Sequence, residues 1–220
     1  MKQPLKASLD HLIFASYALE DGVNFIAEKL GVSPQKGGQH LTMGTHNAVL
    51  KLGDFAYLEV IAIDPELPDP KRPRWFGLDN LKPGDPPGLL TWVIRTNDIR
   101  ETIKNSNLHH SNILDLHRGS YRWRIAIHED GRMPLQGIAP TVIQWQNENH
   151  PSARLPFSGV TLTSLLAIHP AANELKTTLM AGGFRDESSR FQIEKGDTPK
   201  LRVTLNGLKG DVSFDASYLY

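Results

Sequence analysis

Apolar positions recur along the chain in three similar blocks. Ser8 to Ala15 (SLDHLIFA) is a short apolar run suited to a strand, with Leu9, His11 and Ile13 on one face and Asp10, Leu12 and Phe14 on the other. Ala18 to Leu30 then changes to helical spacing, with Leu19, Val23, Ile26 and Leu30 on one side and Gly31 placed to stop the helix. A Gly37-Gly38 loop follows, carrying a polar cluster of Gln39, His40, Thr42, Thr45, His46 and Asn47. Asn47 to Leu52 and Phe55 to Ile63 read as strands joined at the turn pair Gly53-Asp54. The first block is therefore β-α-β-β-β, with Glu59 the one charge in YLEVIAI, on the same face as Tyr57 and Ile61.

Residues 64–88 break the pattern with seven prolines and read as a long, stiffened loop. It carries Arg72, Arg74, Trp75 and Phe76, and it is either a cover over a site or a surface wrap between two units. The order then returns. Leu89 to Thr96 reads as a strand, Asp98 as the N-cap of a helix from Ile99 to Asn105, and Tyr121 to His128 and Thr141 to Gln146 as strands. A third block starts at Val160 to Ala167, with a helix over Ala171 to Ala181 and short strands at Phe191–Glu194, Leu201–Leu205 and Asp211–Phe214. His-Pro and Leu-Pro pairs between Asn149 and Pro156 suggest a division into residues 1–150 and 151–220. A period this long fits a duplicated supersecondary unit in an α+β protein rather than a solenoid.

Composition narrows the function classes. The 24 basic and 24 acidic residues cancel, so no overall field favours nucleic acid or an anionic membrane. No apolar run approaches the roughly 20 residues that span a bilayer, and the first residues have no signal-peptide core. Cysteine is absent, which removes thiolate metal sites and cysteine nucleophiles. The expectation is a cytoplasmic protein with a small-molecule partner.

LDHLIFA, the long stretch GGQHLTMGTHNAVLKLGDFAYLEVIAIDP, and PTVIQW followed by His-Pro together resemble the glyoxalase-like branch of the vicinal oxygen chelate superfamily. The resemblance implies paired βαβββ modules curled into a cup-shaped sheet with helices outside. It further implies a divalent metal held by first and last strands of each module, which chelates neighbouring substrate oxygens and stabilises an enolate or similar oxyanion. By the same resemblance His11 and Glu59 stand at ligand positions of the first module. Their counterparts in the second, about Trp92 and Gln144, cannot supply firm ligands. His40 would be a third ligand if its loop folds inward, and zinc, manganese, iron, nickel and magnesium are not distinguished.

Two function classes follow. In the first, a lyase, isomerase or dioxygenase-like enzyme acts on a small oxygen-rich substrate. His11 and Glu59 hold the metal, Glu59 and His40 are the catalytic candidates, and Asn47, Trp92 and Gln144 line the substrate site. Without a metal, Glu59 becomes a general base with a raised pKa. In the second, the same cup binds a small molecule without chemistry. Strand alternation turns Asn47 inward and His46 outward, and Gln144 toward the cup and Trp145 away from it. Each candidate also has a structural reading: a satisfied buried histidine for His11, a loop cap for His40 and a plain core side chain for Trp92. His109, His110 and His117 receive no role, His150 marks a turn, and His169 looks structural. The unpaired C-terminal unit either completes the cup within the chain or pairs with a second subunit as a homodimer.

Overall fold

The computed structural model describes residues 3–106, 108, 112–146, 149–186 and 189–216. Its first block forms β1 (Ala7–Ala15), α1 (Leu19–Leu30), β2 (Gln35–His40), β3 (Thr45–Leu52) and β4 (Ala56–Ile63). Helix α1 ends where Gly31 enters the left-handed region at φ 77°, its N–H donating back to the Ala27 carbonyl. The second block forms β5 (Gly88–Thr96), α2 (Ile99–Ser106), β6 (Asn112–Arg118), β7 (Tyr121–Ile127) and β8 (Thr141–Trp145). A single turn, α3 (Pro151–Arg154), leads into β9 (Thr161–His169), α4 (Ala172–Ala181), β10 (Phe191–Lys195), β11 (Lys200–Gly207) and β12 (Gly210–Asp215). The expected α+β class and the duplicated βαβββ order are both present.

Two elements depart from the sequence reading. Gly37 and Gly38 lie within the edge strand β2 rather than in a loop. The reason is close approach: a Cβ at Gly37 would collide with the Asn47 side chain, and one at Gly38 would lie 3.0 Å from Arg118 Cδ. The stretch around His117, to which the sequence pattern assigns no strand, forms β6 over residues 112–118, paired in register with β7. Its pattern is weak because one face is wet, with Asp115 and His117 exposed and Leu116 buried between them. His109 and His110 lie outside the described residues.

The eight strands of both blocks form one sheet in the order β2-β3-β4-β1-β5-β8-β7-β6. β1 and β5 meet antiparallel at its centre, and the sheet curls until the edge strands β2 and β6 approach each other. Inside the curl, Ile13, Ile61, Val93, Ile125 and Ile143 pack with Trp75, Phe76 and Leu78 from the proline-rich segment. That segment is thus a strap over the cup, not a surface wrap. Arg74 pins it, donating to Asp79, Asp69 and the Gly44 carbonyl.

The outer face carries α1, α2 and a second sheet, ordered β10-β9-β11-β12. Leu12, Phe14, Trp92 and Ile94 of the large sheet share one apolar core with Leu165, Val203 and Phe214 of the small one. The C-terminal unit therefore backs the cup rather than completing its wall. Among the described residues, no helix is long and apolar enough to cross a membrane.

Candidate functional site

Glu59 reaches the cup from the middle of β4, where every residue from Tyr57 to Ala62 is buried. Asn47 on the neighbouring strand donates its Nδ2 to Glu59 Oε1 at 2.6 Å. The other carboxylate oxygen, Oε2, faces His11 Nε2 across 3.3 Å. His11 is 3 % exposed and stacks on Tyr57 with ring centroids 4.5 Å apart.

Behind His11 stands a carboxylate that strand alternation assigned to the opposite face. The pairing of β1 with β5 shifts register between Leu9 and His11, a bulge that re-aims Asp10. Asp10 is fully buried and accepts from His11 Nδ1 at 2.6 Å, Trp145 Nε1 at 2.9 Å and His150 Nε2 at 2.9 Å. Arg95 Nη1 lies 3.8 Å away. His150 does more than mark a turn, since its Nδ1 also accepts from the Ser152 backbone at the start of α3.

His11 is thus an imidazolium between two carboxylates. Burial favours its neutral form, but hydrogen bonds and charge from Asp10 and Glu59 outweigh burial and raise its pKa from 6.5 to about 9. Burial likewise pushes Glu59 upward, yet the bond and charge of His11, with His40 and Asn47, bring it from 4.5 down to about 2. The raised pKa expected of a general base is therefore not found. The neighbouring positive charge outweighs desolvation, so Glu59 is an ionised and weakly basic carboxylate at neutral pH.

The third part of the cluster sits where the sheet edges meet. Arg118, from the unrecognised strand β6, reaches across the seam and donates Nη1 to Asn47 Oδ1 at 2.8 Å and to His40 Nε2 at 3.2 Å. The Gly38 N–H donates to the same Asn47 oxygen at 2.9 Å. His40 Nδ1 faces Thr45 Oγ1 at 3.1 Å. Burial, with Arg118 and His11 nearby, lowers the His40 pKa to about 4 despite the opposing charge of Glu59. His40 is therefore neutral at pH 7 and accepts from the guanidinium through Nε2. Its ring meets Trp75 of the strap edge-on, centroids 5.0 Å apart. The Trp75 indole N–H is buried and has no partner among the described residues.

His11, Glu59, His40 and Asn47 are thus brought together, and two further candidates are not. Trp92 points to the outer face: its Nε1 donates to the Ile138 carbonyl at 2.8 Å, and its ring packs on Phe184 and Phe191. Opposite residues of an antiparallel pair share a face, and the residue opposite His11 is Val93. Gln144 also turns outward, accepting from the Ile99 N–H and donating to the Asn97 carbonyl at the start of α2. Its neighbour Trp145 is the residue that faces Asp10, the reverse of the expected alternation.

These placements decide how well the site fits the resident divalent metal that the resemblance implies. His11 and Glu59 are close enough to share an ion, and Asp10 would orient His11 as a ligand. The second block, however, presents Val93 and Ile143 on this face, neither of which is a donor. Among the described residues no group of three or more His, Asp or Glu side chains converges as a metal centre needs. The polar groups that follow are the Asn47 amide, bonded to Glu59, and beyond it the cation of Arg118, neither of which makes up the missing ligands. The donor set does not fit.

The family described as "Glyoxalase-like domain" matches residues 9–181 of the chain. No curated protein sequence matches it. Among solved structures, a hypothetical protein from Staphylococcus aureus is similar at TM-score 0.56 and 14% identity, covering 88% of this chain and 87% of that one. At that identity the likeness concerns the fold alone. Methylmalonyl-CoA epimerase from Mycobacterium tuberculosis aligns at TM-score 0.40 and 18% identity, covering 62% of this chain and 85% of its own. The Streptomyces coelicolor epimerase with 2-nitronate-propionyl-CoA aligns at TM-score 0.43 and 18% identity, covering 66% and 100%.

Proposed function

As this chain belongs to the glyoxalase-like domain family, we propose that its cup takes a small, oxygen-rich anion without a resident metal. The bound molecule is held by Arg118 at the seam above the His11–Glu59 pair. The observation that carries this reading is the state of Arg118. It is half-buried, and both of its hydrogen bonds among the described residues leave from one nitrogen. Nη2 and Nε remain for a bidentate contact with a carboxylate or a pair of neighbouring oxygens. The unpartnered indole N–H of Trp75 adds a further donor in the same region.

The cluster's chemistry suits an anion. Cations offset its carboxylates: His11 sits between Asp10 and Glu59, Arg95 lies 3.8 Å from Asp10, and the Arg118 cation has no carboxylate among its hydrogen-bond partners in the described residues. Any proton transferred to or from the bound molecule would pass through His11 Nε2 or Glu59 Oε2, the two atoms of the pair that face each other. An imidazolium there is a donor for an oxyanion, and the carboxylate is the acceptor beside it.

The test is calorimetric titration of the metal-stripped protein with oxalate, malonate, pyruvate and inorganic phosphate. At least one carboxylate is expected to bind, with affinity reduced about 10- to 100-fold in Arg118→Ala, the loss of charge-assisted hydrogen bonds worth about 1.5–3 kcal/mol. Arg118→Lys should recover only part of it, since an ammonium keeps the charge but loses the fork. Binding that appears only after a divalent metal is added, or that is equal in Arg118→Ala, contradicts the proposal.

A further inference from the structure

A cavity lies outside the cup. It has a volume of about 750 Å³ and sits between the outer face of the large sheet and the small C-terminal sheet. Its floor is aromatic and aliphatic: Trp92, Leu165 and Phe184 are buried, and Phe191 packs against Trp92 with centroids 4.7 Å apart. The backbone on one side is fixed, because Ala7 N–H donates to the Gly183 carbonyl and Arg185 N–H to the Ala7 carbonyl. The cavity therefore belongs to the packing of the two sheets and not to a loose terminus. Its volume falls within the roughly 300–1,000 Å³ usual for small-molecule sites.

The rim has a charge of one sign in excess. Lys6, Arg95, Arg185 and Arg190 line it against two carboxylates, Asp54 and Asp186. Asp186 is already engaged, accepting from the Phe191 N–H at 2.6 Å. In a chain whose charges sum to zero, this is a local concentration of cations around an apolar hole. Phe55, 72 % exposed, extends the apolar surface at the mouth.

From this cavity we infer a second ligand site, specific for a single-chain amphipathic carboxylate of the fatty-acid type. The hydrocarbon lies along the partly exposed apolar lining of Leu9, Ala56 and Phe191, above the buried Trp92–Leu165–Phe184 layer, and the carboxylate meets the basic rim. Burial of a chain there is favourable because its apolar surface leaves water, and the rim fixes which end stays out. Arg95 lines this cavity and also lies 3.8 Å from Asp10, so the two sites share one side chain through the sheet.

The probe is cis-parinaric acid, a fluorescent fatty acid, titrated into the intact chain below its aggregation concentration. A saturable rise in emission at one probe per chain is expected, displaced by dodecanoate and at least tenfold less well by dodecanol. Lys6→Glu combined with Arg190→Glu changes only exposed positions, so folding is retained, and it should weaken binding at least tenfold. No saturable emission, unchanged affinity in the double variant, equal displacement by the alcohol, or binding seen only with phosphatidylglycerol vesicles would each overturn the inference.

Discussion

Asp10→Ala is expected to destabilise the fold by about 3–5 kcal/mol, the cost of leaving a buried charge without its partner. The carboxylate is fully buried and holds three donors, His11, Trp145 and His150, from three parts of the chain. Its removal leaves the His11 imidazolium with Glu59 alone, at 3.3 Å, and orphans two further donors. For a chain of this size a loss of that order lowers the melting temperature by roughly 6–20 °C. The difference from wild type should also depend on pH. The His11 pKa is raised from 6.5 to about 9, so stability derived from its charge is complete below pH 6.5 and is lost as pH rises through 9. The gap between wild type and variant should therefore narrow on the alkaline side. Thermal denaturation at several pH values between 6 and 10 measures both effects, and a variant that melts with wild type at pH 6.5 would remove Asp10 from the account.

Trp92→Ala is the second large effect, about 3–5 kcal/mol for a fully buried Trp truncated to Ala. The indole is 0 % exposed, and its N–H is the partner of the Ile138 carbonyl, which would be left buried and unpaired. Since the ring lies on the outer face, carboxylate binding in the cup should be unchanged in whatever fraction remains folded. Chemical denaturation gives the stability, and titration of the folded variant at low temperature gives the affinity. A stability loss below about 1 kcal/mol, or a cup affinity that falls with it, would return Trp92 to the cup.

The elements were legible where period and punctuation agreed. YLEVIAI between turn signals could be little else than a buried strand, and Gly31 marked the end of α1. Glu59, His11, His40 and Asn47 stood out because each is a polar side chain that a buried face must satisfy, and the fold does bring them into one network. What escaped was set by register. A bulge in β1 turns Asp10 toward His11, and no alternation rule reveals an added residue in a strand. The offset between the two blocks gave Trp92 as the counterpart of His11, but pairing places Val93 opposite it. The same uncertainty of phase reversed Gln144 and Trp145. Arg118 was invisible for a further reason. Its strand is half wet, and its partners are 71 and 78 residues away, a closeness created only when the curled sheet brings β2 to β6.

The central claim is that His11 is a charge-locked imidazolium in a site that needs no metal ligand there. Nitrogen-15 chemical shifts of the histidine rings, followed by NMR from pH 6 to 10, test it most directly. The account predicts that both His11 ring nitrogens remain protonated at neutral pH and titrate near 9, while His40 is neutral throughout, its pKa being lowered to about 4. These shifts should not move when zinc, nickel or manganese is added at pH 7. A neutral His11 with one bare nitrogen at pH 7, whose resonance shifts or vanishes on adding one equivalent of metal, would contradict the account and make His11 a ligand.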